Sequence, residues 1–253
     1  MRLRTIGTGT IAPTPDRVCS AHLVEVDDVM LLMDCGHGVL HRMATLDLPW
    51  QEITHVALTH CHADHIGDLV ALISAWRYGT LPPRSEPIEL LGPPGTIELM
   101  GKLAAVFGDW VLEPGTYQVN IRELSTDDRM ELADGVILTA FPVPHTDESV
   151  AYSVVGGGRR LVYTGDTSFD AELGAWAEGC DLLLAECSLP AAMAVPSHLT
   201  PEECGTLAAL VQPAHLVLTH FYPPVEHVDV ATIVAERFDG RTTLSTDGWS
   251  TEL

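Results

Sequence analysis

The decapeptide THCHADHIGD (59–68) constrains the fold and chemistry of this chain more than any other segment. It places three histidines and two aspartates directly after the apolar run VAL (56–58). A solvent-facing loop has no need of so many imidazoles and carboxylates, whereas divalent ions such as Zn²⁺ bind both groups. The spacing therefore predicts a metal site whose remaining ligands lie elsewhere in the chain.

Four apolar segments that look like buried strands end in a candidate metal ligand. VALTH ends in His60, PVPH in His145, LVYTGD in Asp166 and LVLTH in His220. Sites in layered α/β proteins collect at the carboxyl ends of strands, where loops converge. We therefore expect these four side chains to meet the histidine-rich segment at one end of the fold.

The residue types indicate how two ions would share these ligands. His60 and His62 can approach one ion from the same side of a turn, and Asp64 and His65 then point to a second. Asp166 is the candidate bridge, because a carboxylate has two oxygens. The two predicted ligand sets are His60, His62, His145 and Asp166, and Asp64, His65, His220 and Asp166. Two Zn²⁺ ions, or Mn²⁺ in their place, would lower the pKa of a shared water to give hydroxide at neutral pH.

The charge balance bears on the substrate. The 253 residues include 13 lysines and arginines against 35 aspartates and glutamates, a formal charge of −22. Such a field repels polyanions, and a groove that follows nucleic-acid phosphates needs clustered basic side chains. The densest basic segment is GGGRR (156–160), which we interpret as a solvated hairpin flank. Composition therefore argues against a nucleic-acid substrate without excluding it.

Cysteine usage and hydropathy indicate a cytoplasmic location. The six cysteines form no CxxC pair, and the N-terminal sequence MRLRTIGTGT is not typical of a signal peptide. We interpret the cysteines as reduced thiols. No apolar run approaches the roughly 18–20 residues that span a bilayer, so we expect no membrane partner.

The order of elements predicts an α/β (α+β) fold in a single domain, residues 1–253. Strand hairpins come first, around 22–36, and strand–helix units follow. Apolar periodicity predicts helices over 65–79 and 95–108. A further helix is predicted over 200–212, with Thr200 as its N-cap and Glu203 completing a capping box. Such an order suggests sheets covered by helices.

The ligand motifs carry a family resemblance. THCHADHIGD, PVPH, YTGDT and LTH, in that order, resemble the motifs of the metallo-β-lactamase fold hydrolases. IGTGTIAPTPDRVCSAHLVE, MDCGHG (33–38) and LGPPGT (91–96) are similar to segments of ribonuclease Z and related phosphodiesterases. The resemblance implies a four-layer αββα sandwich of two mixed β-sheets flanked by helices. It also implies a metal-dependent hydrolase and, by analogy with the family, a homodimer.

Two further segments, LLLAECS and SHLTPEE, resemble the paired acidic and histidine motifs of the same group. The resemblance implies that His198 contacts the scissile phosphate and protonates the leaving oxygen, while Glu186 holds its imidazole. An imidazole oriented by a carboxylate is a general acid near neutral pH. Asp64 would both bind metal and accept a proton from the attacking water.

Two features depart from ribonuclease Z. Its tRNA-binding arm is inserted between the third histidine ligand and the bridging aspartate. Here His145 and Asp166 are only 21 positions apart, which leaves no room for such an arm. The asparagine that follows its N-terminal arginine is also missing, since Val18 follows Arg17. The compact spacing resembles small-molecule phosphodiesterases of this fold, although the sequence has no cysteine-rich cluster for the structural zinc that some of them carry.

We therefore expect a dinuclear metal phosphodiesterase acting on a small or cyclic phosphodiester. One alternative is a tRNA 3′ endonuclease of the ribonuclease Z type. Another is a C–O or C–N hydrolase such as a lactonase or β-lactamase, which needs no pair like His198 and Glu186. A third is a metal-bound binding or sensing module without catalysis.

Overall fold

The computed structural model describes residues 1–126 and 128–253 and has two β-sheets of seven strands each. The strands are β1 (Arg2–Gly7), β2 (Ala21–Val26), β3 (Val29–Met33), β4 (His55–Ala57), β5 (Ile88–Gly92), β6 (Val119–Glu123), β7 (Arg129–Ala133), β8 (Val136–Pro142), β9 (Val150–Gly156), β10 (Arg159–Tyr163), β11 (Leu182–Glu186), β12 (His215–Thr219), β13 (Thr242–Leu244) and β14 (Ser250–Glu252).

The α-helices of the described residues are α1 (Val39–Thr45), α2 (Ala63–Ile66), α3 (Leu69–Tyr78), α4 (Thr96–Phe107), α5 (Ala171–Ala177), α6 (Pro201–Val211) and α7 (Val230–Ala235). Short 3₁₀ helices cover Trp50–Glu52, Asp109–Val111, Ala191–Met193 and Pro223–His227. Throughout the part of the chain that the structure describes, no helix has both the length and the apolar character needed to cross a membrane.

Both sheets are mixed. The first has the order β14-β1-β2-β3-β4-β5-β6, antiparallel at the β14 end and parallel from β3 to β6. The second has the order β13-β12-β11-β10-β9-β8-β7, antiparallel from β7 to β10 and parallel from β10 to β13. The parallel strands of a sheet end at the same edge, so the loops after β10, β11 and β12 converge there.

Three apolar clusters show how the layers are stacked. The central cluster joins the inner faces of the two sheets, for example through Leu31 from the first and Tyr152 and Leu184 from the second. A second cluster packs α1, α3 and α4 on the outer face of the first sheet, and a third packs α5, α6 and α7 on the outer face of the second. Burying each such side chain contributes about 1.5–3 kcal/mol. The predicted sandwich of two mixed sheets flanked by helices is confirmed.

The segment predicted as one helix over 65–79 forms two helices, α2 and α3, that break at Gly67–Asp68. A Cβ at Gly67 would lie 2.5 Å from the ring of His37, so only glycine allows this close approach. Asp68 accepts a hydrogen bond from the backbone N–H of Leu40 at 3.0 Å. The break lets α2 follow the metal-site turn while α3 packs on the sheet.

The start of α6 has the capping box that the sequence predicted. The Thr200 hydroxyl accepts from the Glu203 N–H, and the Glu203 carboxylate accepts from the Thr200 N–H at 2.9 Å. Both bonds satisfy N–H groups that have no partner within the helix.

We expect Thr200→Ala to lower the free energy of unfolding by about 1 kcal/mol, because one N-terminal amide loses its partner. Urea denaturation would measure this. Thr200→Ser keeps the hydroxyl and should retain most of the stability; an equal loss in both variants would show that the methyl group, rather than the cap, matters.

Candidate metal centre

All seven predicted ligands lie at one end of the sandwich. His60 and His62 follow β4, Asp64 and His65 lie on the single-turn helix α2, and the others follow β8, β10 and β12: His145, Asp166 and His220. The backbone of α2 packs closely against the loop after β3 because residue 36 is glycine; a Cβ there would lie 2.0 Å from the carbonyl oxygen of Asp64.

One group of side chains surrounds Oδ2 of Asp166. Nε2 of His60 and Nε2 of His145 each lie 3.8 Å from this oxygen. His62 presents its other ring nitrogen, and its Nδ1 lies 3.1 Å from Nε2 of His145. One ligand atom from each of these four residues lies within 4.8 Å of the others, which is compact enough to hold a metal ion.

A second group surrounds the other oxygen of the same carboxylate. Oδ1 of Asp166 lies 3.2 Å from Nε2 of His65 and 3.3 Å from Nε2 of His220. Oδ2 of Asp64 lies 3.5 Å from the same nitrogen of His220. Asp166 thus offers one oxygen to each group, which is the arrangement of a bridging carboxylate.

The ring nitrogens and oxygens that face the centre fit a divalent cation. Four of these buried atoms have no hydrogen-bond partner among the described residues: Nε2 of His60, His65 and His220, and Oδ1 of Asp166. Buried polar atoms are nearly always paired, so such a cluster needs an explanation. Two ligands about 2.1 Å from one tetrahedral Zn²⁺ lie about 3.4 Å apart, close to the separations observed here.

Four of the five histidines are fixed through Nδ1, which turns Nε2 towards the centre. The partners are the Thr59 hydroxyl for His60 at 3.0 Å, the Asp34 carboxylate for His65 at 2.8 Å, the Ser197 carbonyl for His145 at 2.9 Å and the Ser188 hydroxyl for His220 at 2.9 Å. Such contacts set the tautomer and orientation of metal-binding imidazoles.

The role of Asp34, which lies in the MDCGHG segment, was not predicted from the sequence. The side chain is fully buried, and its carboxylate accepts from the Thr59 N–H at 2.8 Å and the Tyr163 hydroxyl at 2.9 Å, besides contacting His65. Its φ of 61° lies in the left-handed region. Asp34 directly follows the apolar strand β3, so the strand-end pattern that singled out His60 would also have found it.

Burial and neighbouring charges set the protonation of the centre. Burial lowers the pKa of His60 to about 2, so its imidazole is neutral and can bind metal. Burial opposes the charged form of Asp64, but the neighbouring imidazoles of His220 and His65 outweigh it and lower its pKa. Burial likewise opposes charge on His65, yet Asp166 and Asp34 raise its pKa well above the ordinary value. These carboxylates favour positive charge at the centre, whether a proton or a metal ion carries it.

His198 and Glu186 lie directly beside this cluster. Nδ1 of His198 is 3.0 Å from Oε1 of Glu186 and 3.9 Å from Oδ2 of Asp166. The ring centroid of His198 lies 4.9 Å from that of His145 and 5.6 Å from that of His220. Burial disfavours the imidazolium, but the hydrogen bond and charge of Glu186 outweigh it and raise the pKa of His198. The pair can therefore deliver a proton to a bound substrate.

Known proteins share this architecture. Residues 30–221 match the family model described as the beta-lactamase superfamily domain. Ribonuclease Z of Mycobacterium avium (strain 104) is 30% identical over 269 residues, covering 96% of this chain and 94% of that protein. The metallo-beta-lactamase fold protein YhfI from Bacillus subtilis superposes with a TM-score of 0.86 at 24% identity, and human short-form tRNase Z (ELAC1) with 0.80 at 24%. Each of these two superpositions covers 100% of this chain and 99% of the other protein.

The family model spans most of the chain, and the structural likeness extends over its full length. The converging histidines and aspartates are the residue types that a divalent metal site requires. This chain therefore belongs to the beta-lactamase superfamily, as a ribonuclease Z-like member with the metallo-β-lactamase fold, and is a metal-dependent hydrolase.

Proposed function

We propose that the protein hydrolyses a small phosphodiester, cyclic phosphodiesters included, with two Zn²⁺ ions or Mn²⁺ in their place. The proposed ligands are His60, His62, His145 and Asp166 for one ion, and Asp64, His65, His220 and Asp166 for the other. The observation that carries the proposal is the His198–Glu186 pair, hydrogen-bonded at 3.0 Å beside this cluster. A phosphodiester needs a proton on its leaving alkoxide, and this pair can supply one.

The protein's own groups then have distinct tasks. Two bound divalent ions would polarise the phosphate and lower the pKa of a water. Asp64 accepts a proton from the attacking water. Glu186 accepts the hydrogen on Nδ1 of His198, which leaves Nε2 of that ring to donate to the leaving oxygen. The side chain of His198 is 12% exposed, so a substrate can reach it from solvent.

The loops around the centre favour a substrate of low charge. The segments 58–68, 143–149, 164–170, 187–200 and 220–228 contain neither lysine nor arginine, whereas Asp147 and Glu148 lie next to His145. The Arg17 guanidinium lies over the ring of Phe221, directly after His220, but it pairs with Glu226 at 2.6 Å and donates to the Ser245 carbonyl at 2.8 Å. Tracking an RNA backbone requires several available cations.

The basic GGGRR segment lies away from the centre. Arg159 and Arg160 begin β10, whereas Asp166 follows its other end. Arg159 pairs with Asp181 at 2.7 Å, and Arg160 donates to the carbonyl of Trp176 at 2.6 Å. These contacts leave neither guanidinium facing a substrate at the metal cluster.

RNA is the second candidate substrate, because the M. avium relative at 30% identity is named ribonuclease Z. That alignment spans 269 residues, more than the 253 of this chain, so the relative has inserted residues without a counterpart here. Between His145 and Asp166 this chain has only the hairpin of β9 and β10. The short connection supports the smaller substrate.

Parallel assays on metal-loaded protein test the proposal. Zn²⁺- and Mn²⁺-loaded samples would be given bis(p-nitrophenyl) phosphate, cyclic nucleotides and a precursor tRNA, with and without a chelator. We expect chelator-sensitive turnover of the small diesters and little cleavage of the tRNA. Faster processing of tRNA would favour the ribonuclease Z alternative, and inactivity on every phosphodiester would exclude the proposed reaction.

Replacing the proposed general acid separates phosphodiester hydrolysis from lactone or lactam hydrolysis. We expect His198→Ala to lower kcat on an alkyl phosphodiester by about 10²–10⁴-fold, because general acid catalysis contributes that much. His227→Ala is the matched control, on the Pro223–His227 helix. If His198→Ala kept full activity while His62→Ala lost it, hydrolysis of a C–O or C–N bond would fit better.

The homodimer, the cytoplasmic location and the single domain over 1–253 stay predictions. Light scattering of the purified protein would test the homodimer.

A further inference from the structure

The buried hydroxyl of Ser188 contacts both the His198–Glu186 pair, through Glu186, and the metal-ligand cluster, through His220. Its Oγ lies 2.5 Å from Oε2 of Glu186 and 2.9 Å from Nδ1 of His220. The residue is fully buried, its N–H donates to the Leu199 carbonyl, and its own carbonyl accepts from the Tyr222 N–H. The backbone of Ser188 is therefore held in place by two neighbouring segments.

The direction of its hydrogen bonds follows from Glu186. Besides Ser188, this carboxylate contacts the N–H groups of Thr167 at 2.6 Å and Leu199 at 3.2 Å, and Nδ1 of His198 at 3.0 Å. An ionised carboxylate only accepts, so the serine hydrogen points to Glu186. Two other possible acceptors, the carbonyl of His220 at 3.3 Å and Nδ1 of His198 at 3.4 Å, are farther away, and hydrogen bonds to a charged acceptor are the stronger ones.

This direction sets the tautomer of His220. A hydroxyl that donates to Glu186 has lone pairs left to accept, so it takes the hydrogen on Nδ1 of His220. The lone pair of Nε2 then faces Oδ1 of Asp166 at 3.3 Å and Oδ2 of Asp64 at 3.5 Å. Glu186 takes the hydrogen on Nδ1 of His198 directly, and it therefore acts on both rings.

We propose that Ser188 is a positioning residue through which one carboxylate, that of Glu186, orients both the metal-binding imidazole of His220 and the proton-donating imidazole of His198. The inference rests on the proposed function for the role of His198. Without the serine hydroxyl, Nδ1 of His220 loses its acceptor and Glu186 loses one of its donors, so both rings lose their alignment together.

Zinc affinity tests whether Ser188 orients the metal-binding ring of His220. We expect Ser188→Ala to bind one of two Zn²⁺ ions about 10–100-fold more weakly, as found when contacts that orient ligands are removed. Competition with a chromophoric chelator measures this. Ser188→Thr keeps a hydroxyl and should restore the affinity. Ser245→Ala is the control, because this buried serine donates to the Leu218 carbonyl at 2.6 Å and not to a site side chain.

The dependence of kcat on the leaving group tests whether Ser188 also helps to orient the proton-donating ring of His198. With aryl phosphodiesters whose phenols span a range of pKa, kcat of Ser188→Ala should fall about tenfold more for the poorest leaving group than for p-nitrophenol, because only poor leaving groups need a proton. KM should change much less. Ser188→Thr should restore the wild-type dependence.

NMR of the histidine ring nitrogens in the zinc-loaded wild type shows which nitrogen carries the hydrogen. This measurement does not depend on whether a variant folds. The proposal requires hydrogen on Nδ1 of both His198 and His220. Hydrogen on Nε2 of His220, or a Ser188→Ala variant with unchanged zinc affinity and leaving-group dependence, would overturn it. If the wild type hydrolyses no phosphodiester, the proposed function fails, while zinc affinity and the ring resonances still decide whether Ser188 orients His220.

Discussion

Asp166→Ala is expected to abolish the binding of both metal ions and to lower kcat/KM on bis(p-nitrophenyl) phosphate by about 10³-fold or more. The reason is that its two oxygens face different groups of histidines, at 3.2–3.3 Å on one side and 3.8 Å on the other. Elemental analysis of the dialysed protein and steady-state kinetics would measure the two effects.

Asp147→Ala is the control, because this exposed aspartate lies in the neighbouring loop. Asp166→Asn tests the bridge with little change in volume and should also lose metal, since an amide offers only one oxygen. Retention of two ions per chain by either Asp166 variant would contradict a bridging carboxylate.

Asp34→Ala is expected to lower the free energy of unfolding by about 3–5 kcal/mol, which is the usual cost of leaving several buried donors unpaired. The donors are the N–H and the hydroxyl of Thr59, the Tyr163 hydroxyl and Nδ1 of His65. Zinc affinity should fall about 10–100-fold as well, because His65 loses the carboxylate that orients it. Chemical denaturation of metal-free protein and zinc competition separate the two effects.

Two further variants show which property of Asp34 matters. Asp34→Asn tolerates the left-handed φ and keeps one oxygen, so we expect a smaller loss than for alanine. Asp47 also has a left-handed φ, of 52°, but it is exposed. Asp47→Ala should therefore cost only the backbone strain of about 1–2 kcal/mol. A similar cost at Asp34 and Asp47 would mean that the buried hydrogen bonds contribute little.

Much of the fold followed from local patterns. The hairpin of β2 and β3, the helix α4 and the capping box of α6 are each encoded by contiguous residues, through apolar periodicity or through capping chemistry. The break between α2 and α3 was not predicted. It lies at Gly67–Asp68, where the Asp68 carboxylate accepts from the Leu40 N–H, a contact between residues distant in sequence.

The sequence by itself determined the residue types and chain order of the candidate ligands, because strand ends leave a local signature: an apolar run closed by histidine or aspartate. Only the tertiary structure decided which atoms face one another. Three features depend on side chains from separate strands meeting at set distances. They are the different neighbours of the two Asp166 oxygens, the position of Nδ1 of His62 beside His145, and the orientation of His65 by Asp34 and of His220 by Ser188. Spacing along a chain cannot specify these distances, since they follow from the packing of two sheets.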